Sequence, residues 1–199
     1  MCEGFVSRRD FLYRVLRDRR RMLLYSSPLL LGSLKNRETI TLFVSVLRGE
    51  GSFLSVEKPP HRSLDLHFFL EELGVKSPYS LRQLLDISNV RAPPIPPYSN
   101  FEDVYALTHN IFYASQFAQS SVWLSFVHTD TLRLSIDTQL LFYVTQGNLD
   151  ILLELVLARL ILGGPQTPAS QFAINYVIQR CESFDSIISP EAEYSRAFL

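Results

Sequence analysis

Apolar residues recur along this chain at spacings of three and four, and start and stop signals divide the pattern into about eight helical segments. The first segment, 8–25, interleaves Phe11, Leu12, Val15, Leu16, Leu23 and Leu24 with arginines before Pro28 and Gly32 break it. The second, 36–48, carries a β-branched run (Thr39, Ile40, Thr41, Val44, Val46) that also suits a strand, and Gly49 and Gly51 stop it. Ser63 can cap a third segment over 64–73, with Gly74 at its end, and Ser77-Pro78 opens a fourth that runs to about residue 88. After a proline-rich stretch, Ser99 or Asn100 begins a fifth over 101–118, and a sixth runs over 131–145. Asn148 caps a seventh over 149–162 that Gly163-Gly164-Pro165 terminates, and Thr167-Pro168 opens an eighth that runs to about residue 181.

No alternating apolar-polar run flanked by hairpin turns occurs, so the expected class is all-α. The expected architecture is stacked helical hairpins, either an α/α repeat or an irregular bundle. Residues 91–98, with Pro93, Pro94, Pro96 and Pro97, can be neither helix nor central strand. They are expected to form an extended strap between an N-terminal half (1–90) and a C-terminal half (99–199). One internal echo favours a repeat: Thr108, Ile111, Phe112, Tyr113 and Gln116 match Thr138, Leu141, Phe142, Tyr143 and Gln146 at a constant offset of thirty residues.

Charge changes the picture only when it is divided along the chain. The 199 residues carry a formal net charge of −1. Residues 1–25 hold seven arginines against three acids, a net of +4, while residues 92–199 hold four arginines against ten acids, a net of −6. The near-neutral total argues against nucleic-acid binding through bulk charge. The basic first segment is either a solvated amphipathic helix lying on an acidic neighbour or a docking element for a protein partner. The longest stretch free of charged side chains, 104–129, contains His109, Asn110, Gln116, Gln119 and His128, groups that are expensive in lipid, so no membrane span is expected. Cys2 and Cys181 form no Cys-x-x-Cys motif, and the N-terminus leads into Arg8, Arg9 and Asp10 rather than an apolar run. A reducing, cytoplasmic setting is expected.

The chemistry is concentrated in two segments. On the fifth helix Glu102, Tyr105, His109, Tyr113 and Gln116 fall on one polar-aromatic stripe beside an apolar one. A helix uncharged for so long should be buried, so His109 needs a partner. It is either a satisfied core histidine or, beside a tyrosine hydroxyl, an acid–base group. On the seventh helix Glu154 is surrounded by Leu152, Leu153, Leu155 and Val156, with Asp150 four residues earlier. Glu154 either pairs with His109, or forms a structural ion pair with Arg159 or Arg133. Asp137 is a further buried acid, and Tyr143, like Tyr113, could position a substrate. His61, Asp65 and His67 lack helical metal-ligand spacing, with His61 placed in a loop by Pro59-Pro60, so no metal site is expected. No phosphate loop, zinc-protease motif or nucleophile elbow occurs, and no cofactor is expected.

The stretch from Thr108 to Phe117, followed by Asp150-Ile151-Leu152-Leu153-Glu154-Leu155, resembles a family of uncharacterised helical proteins from bacteria, many of them actinobacteria. That family has a Thr-His-x-x-Phe-Tyr-x-Thr-Asp-Phe-Gly stretch and a later Trp-Asp-Leu-x-x-Glu stretch. The resemblance carries over Thr108, His109, Phe112, Tyr113, Asp150 and Glu154. It departs at Gln116, where the pattern has Asp, and at Ala118, where it has Gly. It implies an all-helical fold and a role in specialised metabolism. The expectation is therefore a small-molecule-handling protein, an acid–base enzyme or a ligand-binding component. His109, Glu154 and Tyr113 would be catalytic, and Glu102, Tyr105, Gln116, Asp137, Tyr143 and Asp150 would contact substrate. The rival is a non-catalytic helical-repeat interaction module. Self-association into a homo-oligomer is compatible with either.

Overall fold

A computed structural model describes residues 59–72 and 76–182, and the regular secondary structure among them is all helical, with no strand. Six α-helices lie in these residues: α1 (Pro60–Glu72), α2 (Leu81–Asp86), α3 (Phe101–Ala114), α4 (Thr129–Gln146), α5 (Leu149–Leu162) and α6 (Pro168–Glu182). A 3₁₀ helix, Val122–Phe126, sits between α3 and α4. The segments expected at 8–25 and 36–48 lie outside the described residues. The chain forms two compact units, residues 1–80 and 81–199. The proline-rich strap belongs to the second of them.

In the first unit α1 begins at Pro60, so His61 lies in its first turn and not in the loop that Pro59-Pro60 suggested. Proline is well tolerated at the start of a helix because its missing N–H would have no intrahelical acceptor there. Leu64, Phe69 and Leu70 are the buried apolar residues of this helix.

The second unit is organised around α5, which packs against α3, α4 and α6. Its sequence, Leu149–Leu162, is apolar nearly all round, as a helix enclosed by neighbours should be. Ile151, Leu152, Leu155, Ala158 and Leu162 are buried along it. With Val104, Leu107 and Ile111 of α3 and Leu132, Ile136 and Leu140 of α4, all likewise enclosed, they form the core. The cap signals read at Asn100 and Asn148 operate as expected, whereas Ser63 lies inside α1 and not at its start, and α2 spans only Leu81–Asp86, beginning after Ser77-Pro78 and ending short of residue 88. Asn100 accepts from the Asp103 N–H while Asp103 accepts from the Asn100 N–H, a reciprocal capping box. Asn148 accepts from the Ile151 N–H, and Gly147 ends α4 in the left-handed region at φ 69°.

The strap is docked rather than free. Proline residues offer carbonyls but no N–H groups, so the strap cannot hold itself by a regular backbone ladder and is fixed instead by side-chain donors. The Ser135 hydroxyl (2.6 Å) and the Gln139 amide (3.0 Å) of α4 both donate to the Pro94 carbonyl. The same amide donates to the Ser99 hydroxyl at 2.9 Å. The extended course ends at a turn in which the Tyr98 N–H donates to the Ile95 carbonyl.

Helix α3 ends at Ala114, one turn short of the expected residue 118. Ser115 terminates it: its hydroxyl donates to the Phe112 carbonyl and accepts from the Ala118 N–H. The chain then passes through Gln116 (φ 51°), Phe117 (φ 53°) and Ala118 (φ 71°), three non-glycine residues in the left-handed region. Each costs roughly 1 kcal/mol there. Replacing Ala118 with glycine is therefore expected to raise stability by about 0.5 kcal/mol, after the greater unfolded-state entropy of glycine is subtracted. An increased denaturant midpoint at unchanged m-value is the check.

The thirty-residue echo is not reproduced in packing. Thr108 is wholly buried whereas Thr138 is exposed, and the buried ring of each pair is Phe112 in one helix but Tyr143 in the other. Both helices touch α5, but they turn different residues toward the interior.

Candidate functional site

The contact of α3 with α5 brings together the residues that stood out most in sequence. Glu154 lies midway along α5, and its Oε2 receives the Thr108 hydroxyl at 2.6 Å. His109 Nδ1 approaches the same oxygen at 3.6 Å. Neither side chain is fully enclosed, since His109 is 15% and Glu154 21% exposed. Burial pushes the Glu154 carboxyl up to about 7, the neighbouring Asp150 charge adds to the rise, and the Thr108 hydrogen bond opposes it. A carboxyl that gains and loses a proton near neutrality, next to an imidazole, has the makings of an acid–base pair.

Hydrogen counting fixes the histidine tautomer. Nδ1 lies 3.0 Å from the Tyr105 carbonyl oxygen, which can only accept, so Nδ1 carries a proton. In the neutral ring Nε2 is then the basic nitrogen. This is how histidine bases are commonly oriented: a backbone carbonyl or carboxylate holds one nitrogen and sets the other for proton transfer. The ring is also held by stacking. The Tyr105 ring lies 3.8 Å from it, centroid to centroid, and the Phe112 and Tyr113 rings lie at 5.7 and 6.0 Å.

The other residues proposed from sequence are distributed as follows. Asp150 is one turn before Glu154, near enough for its charge to act on that carboxyl. Tyr105 and Tyr113 flank His109. Glu102 is exposed in the first turn of α3, where an acidic side chain favours the helix dipole. Gln116 sits in the left-handed turn after the helix has ended, and so is not on the helical stripe. Tyr143 is buried, and desolvation raises its hydroxyl with a contribution from the Asp103 charge at the start of α3. Asp137 is engaged elsewhere: its Oδ1 accepts from Arg159 Nε and its Oδ2 from the Thr167 hydroxyl, each at 2.9 Å.

The expected rivals for Glu154 are thereby accounted for. Arg159 pairs with Asp137 and donates to the Gly163 and Pro165 carbonyls. Arg133 pairs with Asp130 and donates to the Leu162 and Gly163 carbonyls. The two arginines thus satisfy the acceptors left open at the C-terminus of α5. Gly164 beneath them sits at φ 81°, in the left-handed region that other side chains rarely adopt.

Thr108 was not among the candidate site residues; it stood out in sequence only in the thirty-residue echo and in the motif of the resemblance. Its signal in the sequence was its position next to His109 on a helix, one residue inward toward the apolar stripe. Of the metal candidates, burial raises Asp65 to about 6 despite Arg62 and lowers both His61 and His67. Among the described residues no group of three His, Cys, Asp or Glu side chains could hold a metal ion. Among them, too, no helix is long and apolar enough to cross a membrane.

No curated protein and no solved structure matches the chain. A family model does match, and it spans residues 3–196, including every residue of the site just described. By that match the chain belongs to the family described as a domain of unknown function, DUF6895.

Proposed function

We propose that this chain is a small-molecule-handling protein whose chemistry is proton transfer by His109 and Glu154, in the setting of bacterial specialised metabolism and a reducing, cytoplasmic compartment. The observation that carries the reading is the convergence of the Thr108 hydroxyl and His109 Nδ1 on one half-buried carboxylate oxygen. Among the described residues no arginine or lysine pairs with that carboxylate, so it is not spent on a structural ion pair. His109 serves as the general base or acid through Nε2. Glu154 compensates the imidazolium charge, and Tyr113 and Tyr105 hold the ring and border the substrate. The sequence resemblance supports the metabolic setting, and the aromatic flank of His109 suits an apolar or aromatic substrate.

The test is a thermal-shift screen of a metabolite library on the wild-type chain, on His109→Gln and on Glu154→Gln. The expected result is a compound that raises the melting temperature of the wild type but not of either variant, with both variants folded. Turnover of such a compound should fall about 10²–10⁴-fold in each variant. A library in which every stabilising compound acts equally on all three proteins would sink the reading.

A second reading, a helical interaction module, is favoured by Leu134 and Leu141, which project from α4 seven residues apart and are 69% and 45% exposed. It expects His109→Gln and Glu154→Gln to leave partner binding unchanged.

A further inference from the structure

We propose that Thr108 is a positioning residue whose hydroxyl reverses its hydrogen bond as Glu154 changes protonation state, so that the proton on Glu154 is reported at the Tyr105 carbonyl that also holds His109. The inference rests on the proton-transfer reading above and deepens it.

The argument is a count of hydrogens. The Thr108 oxygen lies 2.6 Å from Glu154 Oε2 and 2.9 Å from the Tyr105 carbonyl oxygen. Both distances are hydrogen bonds, but a hydroxyl has one proton and can donate only once. With Glu154 ionised, its oxygen can only accept, so Thr108 donates to Glu154. The Tyr105 carbonyl is then served by His109 Nδ1–H at 3.0 Å. With Glu154 protonated on Oε2, the carboxyl donates to the Thr108 oxygen, and the hydroxyl turns to the Tyr105 carbonyl. That carbonyl already takes the helical His109 N–H on one lone pair, so in this state the Thr108 hydroxyl and the His109 Nδ1–H share the other. In both states each donor has an acceptor within reach with the heavy atoms where they stand, and the only movement is rotation of one O–H.

Such an arrangement suits a group that must cycle. A proton can arrive at or leave Glu154 without reorganising the site, the condition under which buried polar groups act most efficiently. It also joins two residues that touch only loosely, since His109 Nδ1 is 3.6 Å from Glu154 but shares the Tyr105 acceptor with Thr108. Among the described residues, the charged and titratable groups that act on Glu154 are His109 from α3 and Asp150 from its own helix. Neither can replace the hydroxyl, because Thr108 is the short contact and is wholly buried.

The test uses the full chain labelled with ¹³C and followed by NMR from pH 4 to 9. The Glu154 carboxyl and Tyr105 carbonyl carbons are expected to move with one shared midpoint. In Thr108→Val the Glu154 midpoint should rise by about one unit, because the carboxylate loses its donor, and the Tyr105 response should vanish. Thr108→Ser should restore both. A Tyr105 carbonyl that stays still while Glu154 titrates near neutrality overturns the switch and leaves the acid–base pair standing. A Glu154 midpoint at the ordinary carboxylate value overturns both. Should Thr108→Val fail to fold, the wild-type titration decides alone.

Discussion

Arg159→Met is expected to destabilise the second unit by about 3–5 kcal/mol, the largest effect of any single substitution outside the apolar core. The Arg159 side chain is 3% exposed and Asp137 9%, so the pair is almost fully desolvated. Removing the guanidinium leaves the Asp137 carboxylate buried with the Thr167 hydroxyl as its remaining partner. It also removes the donor to the Pro165 carbonyl and one of the two donors to the Gly163 carbonyl. The consequence reaches α6, because the same Thr167 hydroxyl accepts from the Ser170 N–H at the start of that helix. A melting temperature lower by roughly 10 °C is the expected readout for a chain of this size. The double variant Arg159→Met, Asp137→Leu should recover most of the loss, since apolar groups can fill such a site without uncompensated charge. A loss below about 1 kcal/mol in the single variant would mean that the ion pair contributes little to the connection between α4, α5 and α6.

The second large effect has the opposite sign. Glu154→Gln is expected to stabilise the protein above pH 7 and to leave it unchanged near pH 4. Folding raises this carboxyl from 4.5 to about 7, which means that the folded state favours the protonated form. Below pH 4.5 both states hold the proton and no penalty exists. Between 4.5 and 7 the unfolded chain ionises first, so stability falls as pH rises, and above 7 the loss is complete. At about 1.4 kcal/mol per unit the full shift corresponds to roughly 3 kcal/mol, and partial solvent access reduces this to on the order of 2 kcal/mol. Glutamine keeps the shape and can accept from Thr108 but carries no charge, so the variant escapes the penalty. Urea melts of both proteins at pH 4 and pH 8 measure the difference. The Asp65 carboxyl, raised to about 6, gives both proteins the same additional slope and cancels. Equal stability at pH 8 would show that Glu154 is an ordinary carboxylate and remove the basis for proton handling. A gain would mark it as a residue retained at a cost to stability, which is the usual sign of a working site.

These two acids show how differently legible a site can be. Glu154 and Asp137 both read in sequence as helical acids in want of a partner, Glu154 among apolar neighbours and Asp137, the weaker candidate, between Ile136 and Thr138. Burial alone could not separate them, because what distinguishes them is the partner across the interface. Asp137 meets a guanidinium, whereas Glu154 meets a hydroxyl and an imidazole. His109 was legible because a histidine in a long uncharged helix must find a hydrogen bond. Gln116 was misplaced on the same stripe because the Ser115 bond that ends α3 is a side-chain-to-backbone contact that periodicity does not register. The echo between 108–116 and 138–146 was similarly deceptive: helical pattern specifies that one face is apolar, but the neighbours decide which residues lie on it.

What the sequence by itself determines is local. Helical class, the ends of α5 and α6, the capping residues Asn100, Asn148 and Thr167, and the need of His109 and Glu154 for partners all follow from spacing, cap chemistry and burial of polar groups. What only the tertiary structure decides is pairing. That Arg159 goes to Asp137, that Thr108 supplies the short bond to Glu154, and that α4 side chains hold the strap by the Pro94 carbonyl all depend on which helices face each other. The reason is that a helix sets the direction of its side chains every few residues, while the identity of the group they meet comes from a segment tens of residues away, placed by the packing of the whole core.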